Sequence, residues 1–213
     1  MTLAVCIMDT INHAQAAVTL AHTLRVLSEC HPAHKAYWVS DQPSPQRFQV
    51  PTHETLISPI QQFPADYNML CLKLLPELIQ EDHCLIIQCD GYAVHAAAWT
   101  PEFLKYDYVG ACWPSHWHMP HAVGNGGFSL RSRKLLQAIR HMQVPVTDRH
   151  EDYLLCLDLR PSLEHYYGCT WAPAELADQF SIENNVQSEW LGKSFGFHGK
   201  FLIPTYGTPT CPK

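Results

Sequence analysis

Apolar residues in this chain occur in short runs that alternate with segments of helical periodicity. Runs at 3–8, 35–40 and 84–90 each reach an aspartate at their end, a pattern typical of short buried strands. Between them, apolar residues recur every three or four positions and predict helices over 14–28 and 68–80. Strands that alternate with helices indicate an α/β fold with a central, mostly parallel mixed sheet flanked by helices.

The remaining elements are predicted from weaker signals. Further strands are expected at 54–59, at 108–112 and directly after the glycine-rich run 124–127, and further helices at 101–106, 132–142 and 151–159. Pro76 is expected to bend or split the 68–80 helix, and residues 172–213 are expected to be largely irregular. Because there is no internal repeat and no low-complexity linker, we expect residues 1–213 to form a single domain with a sheet of about six to eight strands.

Composition narrows the class of protein. The 213 residues are 46% hydrophobic and carry 14 Lys plus Arg, 20 Asp plus Glu and 14 His, for a net charge of −6 with neutral His. So few permanent cations disfavour a protein that binds along nucleic acid or by a basic patch to membranes. The N-terminus lacks a basic signal-peptide region, and no apolar run approaches the ~18 residues of a membrane span. We therefore expect a cytoplasmic protein without a transmembrane segment.

The cysteines and the histidine-rich loop do not predict a zinc site. The nine cysteines include no C-x-x-C pair, and in a cytosolic protein most are expected to be small buried hydrophobes. Cys211, near the C-terminus, is expected to be exposed. The histidines of 116–121 lack zinc-ligand spacing and a neighbouring cysteine. This loop, with Trp113 and Trp117 as aromatic surfaces, is instead expected to bind an acceptor.

Three aspartates mark a candidate ligand site. Asp9, Asp41 and Asp90 each lie at the end of a predicted strand, and ligands of open α/β sheets bind beyond the carboxyl ends of the strands. The alternative is that aspartate simply favours turns at strand ends. Asp90 is the strongest candidate, because Gly91 lets a ligand approach the backbone closely. An oxygen ligand there suits Mg²⁺ or Mn²⁺, or a sugar hydroxyl.

The run 124–127, Gly-Asn-Gly-Gly, is a candidate substrate contact. It matches neither a P-loop nor a dinucleotide-binding fingerprint. Its glycines favour backbone packed against a ligand, with Asn125 hydrogen-bonding to hydroxyl groups. The alternative is a glycine turn that joins two strands.

Two further motifs carry titratable groups. Glu151 and Asp152 begin a predicted helix, where acidic residues are partly explained by the helix dipole; read functionally, one of them would deprotonate a nucleophilic hydroxyl. His198 lies between an aromatic residue and a glycine near the C-terminus. It would close a metal site from the far side, or it is a structural histidine.

The order of these motifs resembles the bacterial family known as domain of unknown function 5672, whose members look like GT-A-type glycosyltransferases. The specific motifs are Asp-Tyr-Val-Gly-Ala-Cys-Trp-Pro at 107–114 and Gly-Asn-Gly-Gly-Phe-Ser-Leu-Arg at 124–131. Weaker matches lie at 151–152, 174–183 and 195–199, and the resemblance spans roughly residues 3–203.

The resemblance implies a single GT-A-like, Rossmann-like domain with a nucleotide-binding half at about 1–112 and an acceptor-binding half at about 113–213. It implies transfer of a sugar from a nucleotide diphosphate sugar to an acceptor hydroxyl. A single base on the acceptor side predicts inversion, and the low Lys plus Arg count favours a glycan, protein or small molecule over a nucleic acid as acceptor. The Asp-x-Asp motif that GT-A enzymes generally carry would begin at Asp90, with Tyr92 in the place of the second Asp.

The resemblance also implies a role for each candidate residue. Asp152 would be the catalytic base, with Glu151 as the other option, and Asp90 and His198 would bind Mn²⁺ or Mg²⁺. The expected donor-binding residues are Asp9, Thr10, Asp41, Tyr67, Lys73, Asp90 and Gly91, and the expected substrate-binding residues are Trp113, Asn125, Gly126 and Gly127. Two alternatives remain open: a nucleotide-sugar or carbohydrate-binding module without turnover, and a metal-dependent hydrolase that uses Asp90 and His198.

Overall fold

A computed structural model describes residues 1–209 and contains two β-sheets. The strands are β1 (Leu3–Met8), β2 (Lys35–Ser40), β3 (Thr52–Leu56), β4 (His83–Ile87), β5 (Gly91–Ala93), β6 (Tyr108–Val109), β7 (Phe128–Ser132), β8 (Ser181–Ile182) and β9 (Gly196–His198). The central sheet has six strands in the order β3-β2-β1-β4-β7-β6. β1 to β4 run parallel, and β7 is antiparallel to both β4 and β6. The predicted α/β fold class is therefore confirmed.

Helical segments cover both faces of the central sheet. The α-helices are α1 (His13–Ser28), α2 (Ala65–Met69), α3 (Leu75–Leu78), α4 (Arg133–Met142), α5 (Glu151–Tyr153), α6 (Arg160–Tyr167), α7 (Ala174–Phe180) and α8 (Ile203–Tyr206). Short 3₁₀ segments lie at Ala96–Ala98, Pro101–Lys105, Ser115–Trp117 and Lys200–Leu202. Within residues 1–209, no helix is long and apolar enough to cross a membrane.

Strand β1 shows why its apolar run does not alternate with polar residues. Leu3, Val5 and Ile7 belong to the core cluster that contains the buried face of α1. Ala4 and Cys6 point to the opposite cluster, which α2 and α3 help to form. Because successive side chains of a strand point to opposite faces, a sheet covered on both sides needs apolar residues at every position.

Two prolines each follow a π-helical turn. Pro76 interrupts the predicted 68–80 helix as expected: a π-helical turn, Leu70–Leu74, separates α2 from α3. A second π-helical turn, Leu154–Asp158, lies between α5 and α6 just before Pro161. Proline has no N–H to continue the helical hydrogen bonds, and a wider turn before it accommodates the loss.

The prediction that 172–213 is largely irregular is wrong for 174–182 and 196–206, whereas 183–195 contains no helix or strand and 210–213 lie outside the described residues. This region contains α7, β8, β9 and α8, and its two strands pair with β5 in a second sheet of order β5-β9-β8. Strands of two or three residues are too short to show a period of two along the chain. The predicted bounds of the third strand, 54–59, are also wrong, because β3 lies at Thr52–Leu56.

The cysteines described by the structure are free thiols, and most are buried. Cys6, Cys84, Cys112 and Cys156 are buried as expected, whereas Cys89 is partly exposed. Burial raises the pKa of the Cys156 thiol to about 12 and so favours its neutral form. Cys211 lies outside the described residues.

The contact between the two sheets yields a stability prediction. A Cβ at Gly196 of β9 would overlap the ring of Phe128 on β7 and approach the carbonyl oxygen of Tyr92 to 2.8 Å. We expect Gly196→Ala to lower the free energy of unfolding by about 1–3 kcal/mol, because neither neighbour has room to move in a packed core. Denaturant unfolding measures the change. An unchanged or higher midpoint would show that the sheets do not pack at this distance.

Candidate active site

A cavity of about 220 Å³ lies beyond the carboxyl end of β4. Its walls come from α2, the residue after β4, the glycine-rich run before β7, the start of α5, and the ends of β8 and β9. This is the edge at which open α/β sheets bind ligands.

The register of the second sheet places three side chains beside one another. Gly91 pairs with His198, which sets Asp90 next to that histidine. Ile182 pairs with Phe197 in the parallel ladder of β8 and β9. The residues that follow them, Glu183 and His198, are therefore also neighbours. The three polar residues come from positions far apart in the chain.

Both ring nitrogens of His198 face oxygen atoms. Nδ1 lies 2.9 Å from Oε1 of Glu183, and Nε2 lies 3.0 Å from Oε1 of Gln88 and 3.6 Å from Oδ1 of Asp90. Burial by itself lowers the pKa of His198, but the hydrogen bond to Glu183 and the nearby carboxylates outweigh it, so the pKa is raised above 6.5.

The glycine-rich run 124–127 makes room for side chains of the protein itself. Added Cβ atoms at its three glycines would each overlap a neighbouring side chain. The neighbours are, in chain order of the glycines, Trp113, Glu151 and His198. Glycine is therefore required here because these side chains pack directly on the backbone.

Asn125 offers the cavity a hydrogen-bond donor rather than an acceptor. Its Oδ1 accepts from the backbone N–H of Gly127 at 2.9 Å, which fixes the orientation of the amide. Its backbone carbonyl accepts from the hydroxyl of Tyr108 at 2.6 Å. Nδ2 is buried and has no hydrogen-bond partner among the described residues.

A buried ion pair holds the start of α5 against β7. Nη2 of Arg131, on β7, donates to Oε1 of Glu151 at 2.8 Å, and both side chains are almost fully buried. Nε of Arg131 donates to Ser129, and the guanidinium lies over the ring of Tyr108. The carboxylate of Glu151 is thus engaged in holding the backbone of α5 in place.

Asp152, the next residue, lines the cavity and makes no ion pair within residues 1–209. Burial, and then the charge of Glu151, raise its pKa from an ordinary 3.8 to about 7. A carboxylate that gains a proton near neutral pH is suited to general base catalysis.

Asn68 connects the segment before α5 to α2. Its Nδ2 donates to the carbonyl oxygens of Thr147 and Arg149 at 2.7 and 2.6 Å. Asn68 is fully buried and also lines the cavity. Two helices that carry cavity residues are therefore held to each other by one amide group.

A second cavity, of about 300 Å³, shares Phe63, Tyr67 and Gln88 with the first. Asp9 and Thr10 line it as well. Oδ1 of Asp9 accepts from the backbone N–H groups of the last two residues of the β1–α1 loop, 11 and 12. Because they share lining residues, the two cavities are adjacent, and the pair is called the recess at the ends of β1 and β4.

Comparison with known proteins identifies the family. The sequence matches the family described as "Protein of unknown function (DUF5672)" over residues 49–198. The chain belongs to this family. The resemblance predicted from the motifs is therefore confirmed.

Other comparisons bear on the fold. No curated protein matches the sequence of this DUF5672 member. Among solved structures, it is similar to a glycosyltransferase involved in the glycosylation of the major capsid of PBCV-1, with a TM-score of 0.56 over 94% of this chain and 95% of that one. The likeness shows that the chain shares the fold of a glycosyltransferase. Because the two sequences are only 8% identical, it shows the fold alone.

The fold brings most of the predicted site residues of the DUF5672 chain together. The first cavity contains Tyr67, Asn125, Gly126, Gly127, Glu151, Asp152 and His198, and the second contains Asp9, Thr10 and Tyr67. Asp90 contacts His198, and Gly91 packs against its ring.

Three predicted residues lie elsewhere. Asp41 accepts from Nε2 of His13 at 2.6 Å, and this hydrogen bond lowers the pKa of its carboxyl. Lys73 lies on the π-helical turn after α2 and lines neither cavity. Trp113 lines a separate cavity of about 290 Å³ under the histidine-rich loop, and its ring lies 4.9 Å from that of Tyr153.

Tyr92, which stands in the place of the second Asp of an Asp-x-Asp motif, has a packing role in the structure. Tyr92 lies in β5, where its ring packs 4.6 Å from that of Phe197 and its hydroxyl donates to the carbonyl of Gly207. The residues that face His198 are Gln88 and Asp90, because a tight turn joins β4 to β5 and reverses the chain after Asp90. Gln88 and Asp90, rather than Tyr92, are therefore the residues of this segment whose side chains contact His198.

Sequence reasoning also missed Glu183 and Arg131. Glu183 ends the 174–183 match but was assigned no role, and its partner lies 15 residues away. Arg131 lies within a short apolar strand, 20 residues before Glu151 at the start of a helix. A charged residue in such a strand was the available sequence signal for the buried ion pair.

The residues around His198 suit the divalent cation that the resemblance implies. Within residues 1–209, no group of three or more His, Cys, Asp or Glu side chains is arranged to hold a metal ion. The amide oxygen of Gln88 lies beside Asp90 and His198 and would serve as a third ligand. One carboxylate, one amide oxygen and one imidazole would leave positions for water and phosphate, as Mg²⁺ and Mn²⁺ sites commonly do.

The buried ion pair yields a stability prediction. We expect Arg131→Met to lower the free energy of unfolding by about 3–5 kcal/mol, because it leaves the buried carboxylate of Glu151 without a cation. The double variant Arg131→Met/Glu151→Gln is expected to regain part of this loss. Arg133→Met, at an exposed residue two positions on, is the control and is expected to have a small effect. A single variant as stable as that control would contradict the role of the pair.

The raised pKa of Asp152 predicts a pH-dependent stability. Between an ordinary pKa of 3.8 and a folded-state pKa of about 7, the folded protein keeps a proton that the unfolded chain releases, so the free energy of unfolding falls as pH rises. Asp152→Asn, which has no charge, is therefore expected to melt above the wild type at about pH 8 and to lose this advantage by about pH 4. Thermal unfolding at both pH values measures the difference. An advantage independent of pH would exclude the raised pKa.

Proposed function

We propose that this chain is an inverting glycosyltransferase that moves a sugar from a nucleotide diphosphate sugar to an acceptor hydroxyl. The observation that carries the proposal is the position of Asp152, a carboxylate without an ion pair in the described chain, in one cavity with His198. The fold shared with a glycosyltransferase supports this reading.

The donor would lie along the recess at the ends of β1 and β4. The nucleoside would occupy the cavity lined by Asp9, Thr10 and Tyr67. The diphosphate would lie toward Gln88, Asp90 and His198, which would hold Mn²⁺ or Mg²⁺. When bound, the cation would supply positive charge that stabilises the leaving diphosphate.

Asp152 would act as the base on the acceptor side. Its carboxylate takes the proton of the acceptor hydroxyl while the hydroxyl oxygen bonds to the anomeric carbon. The bond from that carbon to the diphosphate oxygen breaks, and the nucleoside diphosphate leaves with the electron pair. Of the three carboxylates that line the first cavity, Glu151 and Glu183 already have partners in Arg131 and His198. Asp152 is therefore the better base, and the described lining of this cavity offers no second unpaired carboxylate as a covalent nucleophile.

The acceptor would enter from the side of the 113–123 loop. Tyr153 connects Asp152 to the ring of Trp113 and to the cavity beneath that loop. Nδ2 of Asn125 would donate to a substrate oxygen, since its Oδ1 is already engaged. A glycan, protein or small molecule remains a better candidate acceptor than a nucleic acid, because the chain has few permanent cations.

A donor screen tests the proposal. UDP, GDP and CDP sugars are added with and without Mn²⁺, and thermal shift and nucleoside diphosphate release are both measured. We expect Asp152→Asn to keep donor binding and to lose transfer by about 10²–10⁴-fold, the range for loss of a general base. Asp148→Asn, an exposed acid four residues earlier, is the matched control and is expected to behave like the wild type.

The outcomes separate the alternatives. Failure of every nucleotide to stabilise the protein would reject the proposal. Stabilisation without turnover in the wild type would indicate a binding module. Unimpaired transfer by Asp152→Asn would show that another group is the base.

A further inference from the structure

We infer that Glu183 is a positioning residue that fixes the tautomer and orientation of His198, so that Nε2 presents its lone pair toward Gln88 and Asp90. The inference rests on the proposed function, because it gives this orientation a purpose at the donor diphosphate. The residue lies outside the motifs to which a role was assigned from sequence.

The fold makes the contact between Glu183 and His198 unavoidable. β8 and β9 run parallel, with Ile182 opposite Phe197, so the next residue on each strand continues the same register. Oε1 of Glu183 consequently lies 2.9 Å from Nδ1 of His198. This is the only hydrogen bond of Glu183 side-chain oxygens within residues 1–209, which leaves the side chain no other structural role there.

The chemistry of the pair decides the tautomer. An ionised carboxylate only accepts hydrogen bonds, so the partner nitrogen, Nδ1, must carry the hydrogen. In the neutral ring, Nε2 then carries the lone pair. Carboxylates that accept from the second nitrogen of a ligating histidine have this effect at metal sites in general.

The surroundings of the ring leave few other orientations. A Cβ at Gly127 would overlap Nε2, and one at Gly91 would lie 2.9 Å from Cδ2, so the backbone closes on the ring at both places. The ring is therefore confined, and what remains to be chosen is which nitrogen carries the hydrogen. Without Glu183, a hydrogen on Nε2 would be favoured, because Gln88 and Asp90 offer oxygens that accept it.

Nitrogen NMR of the histidine ring tests this directly. The full chain is labelled with ¹⁵N-histidine, and His198→Asn assigns the signals. At a pH above the pKa of His198, the wild type is expected to show hydrogen on Nδ1. Glu183→Ala is expected to shift the population toward hydrogen on Nε2, whereas Glu183→Gln, whose amide oxygen still accepts, is expected to restore the wild-type pattern at least in part.

Binding of Mn²⁺ alone, followed by electron paramagnetic resonance, provides the second readout. We expect about 10–100-fold weaker binding by Glu183→Ala, the usual effect of losing such a partner. Glu189→Ala, at an exposed acid of the same segment, is the matched control and is expected to equal the wild type. An unchanged tautomer in Glu183→Ala, or an equal response of both proteins to Mn²⁺, would overturn the inference.

These measurements are independent of turnover. If the tautomer and Mn²⁺ binding change as expected but no nucleotide sugar is consumed by the wild type, Glu183 positions His198 and the proposed function fails. If transfer is observed and the tautomer does not depend on Glu183, the proposed function stands and the positioning role fails. If Glu183→Ala does not fold, the tautomer of His198 in Glu183→Gln is the deciding measurement, because Gln conserves the volume of the side chain. A His198 ring with the wild-type pattern in this variant supports the inference. A ring with hydrogen on Nε2, while the Gln amide contacts it, overturns the inference.

Discussion

The buried pair of Arg131 and Glu151 is the interaction on which the site depends. Removing a guanidinium and a carboxylate from water is costly, and their mutual attraction offsets this only in good geometry. Here the guanidinium is held on three sides, by Glu151, by Ser129 and by the ring of Tyr108. The pair joins the central sheet to α5, and so brings Asp152 to the cavity wall.

A second constraint comes from the three-stranded sheet, and both meet at the glycine-rich run. The register of β9 with β5 and β8 sets His198 between Asp90 and Glu183. Gly126 lets the Glu151 side chain reach Arg131, and Gly127 lets the His198 ring lie on the backbone. Neighbouring glycines of one stretch of backbone therefore contact Glu151, next to the candidate base, and His198, in the candidate cation site, and both groups line the same small cavity.

The predictable parts of this protein are those encoded by local pattern. Apolar runs predicted β1, β2 and β4, and helical spacing predicted α1 and α4, because these elements bury one or two complete faces. The candidate residues that share the cavity were also found from motifs, since glycines, strand-end acids and a histidine stand out among apolar neighbours. β5, β8 and β9 escaped prediction because two or three residues contain too little pattern.

The sequence by itself determined the α/β class, the family and the set of groups able to do chemistry, since these follow from residue type and spacing along the chain. Only the tertiary structure decided which groups meet. It paired Glu151 with Arg131, left Asp152 without an ion pair among residues 1–209, put Gln88 rather than Tyr92 opposite His198, and set Glu183 against the far side of the ring. The physical reason is that these contacts depend on strand register and on packing between distant segments, neither of which leaves a periodic signal in the residues that make them.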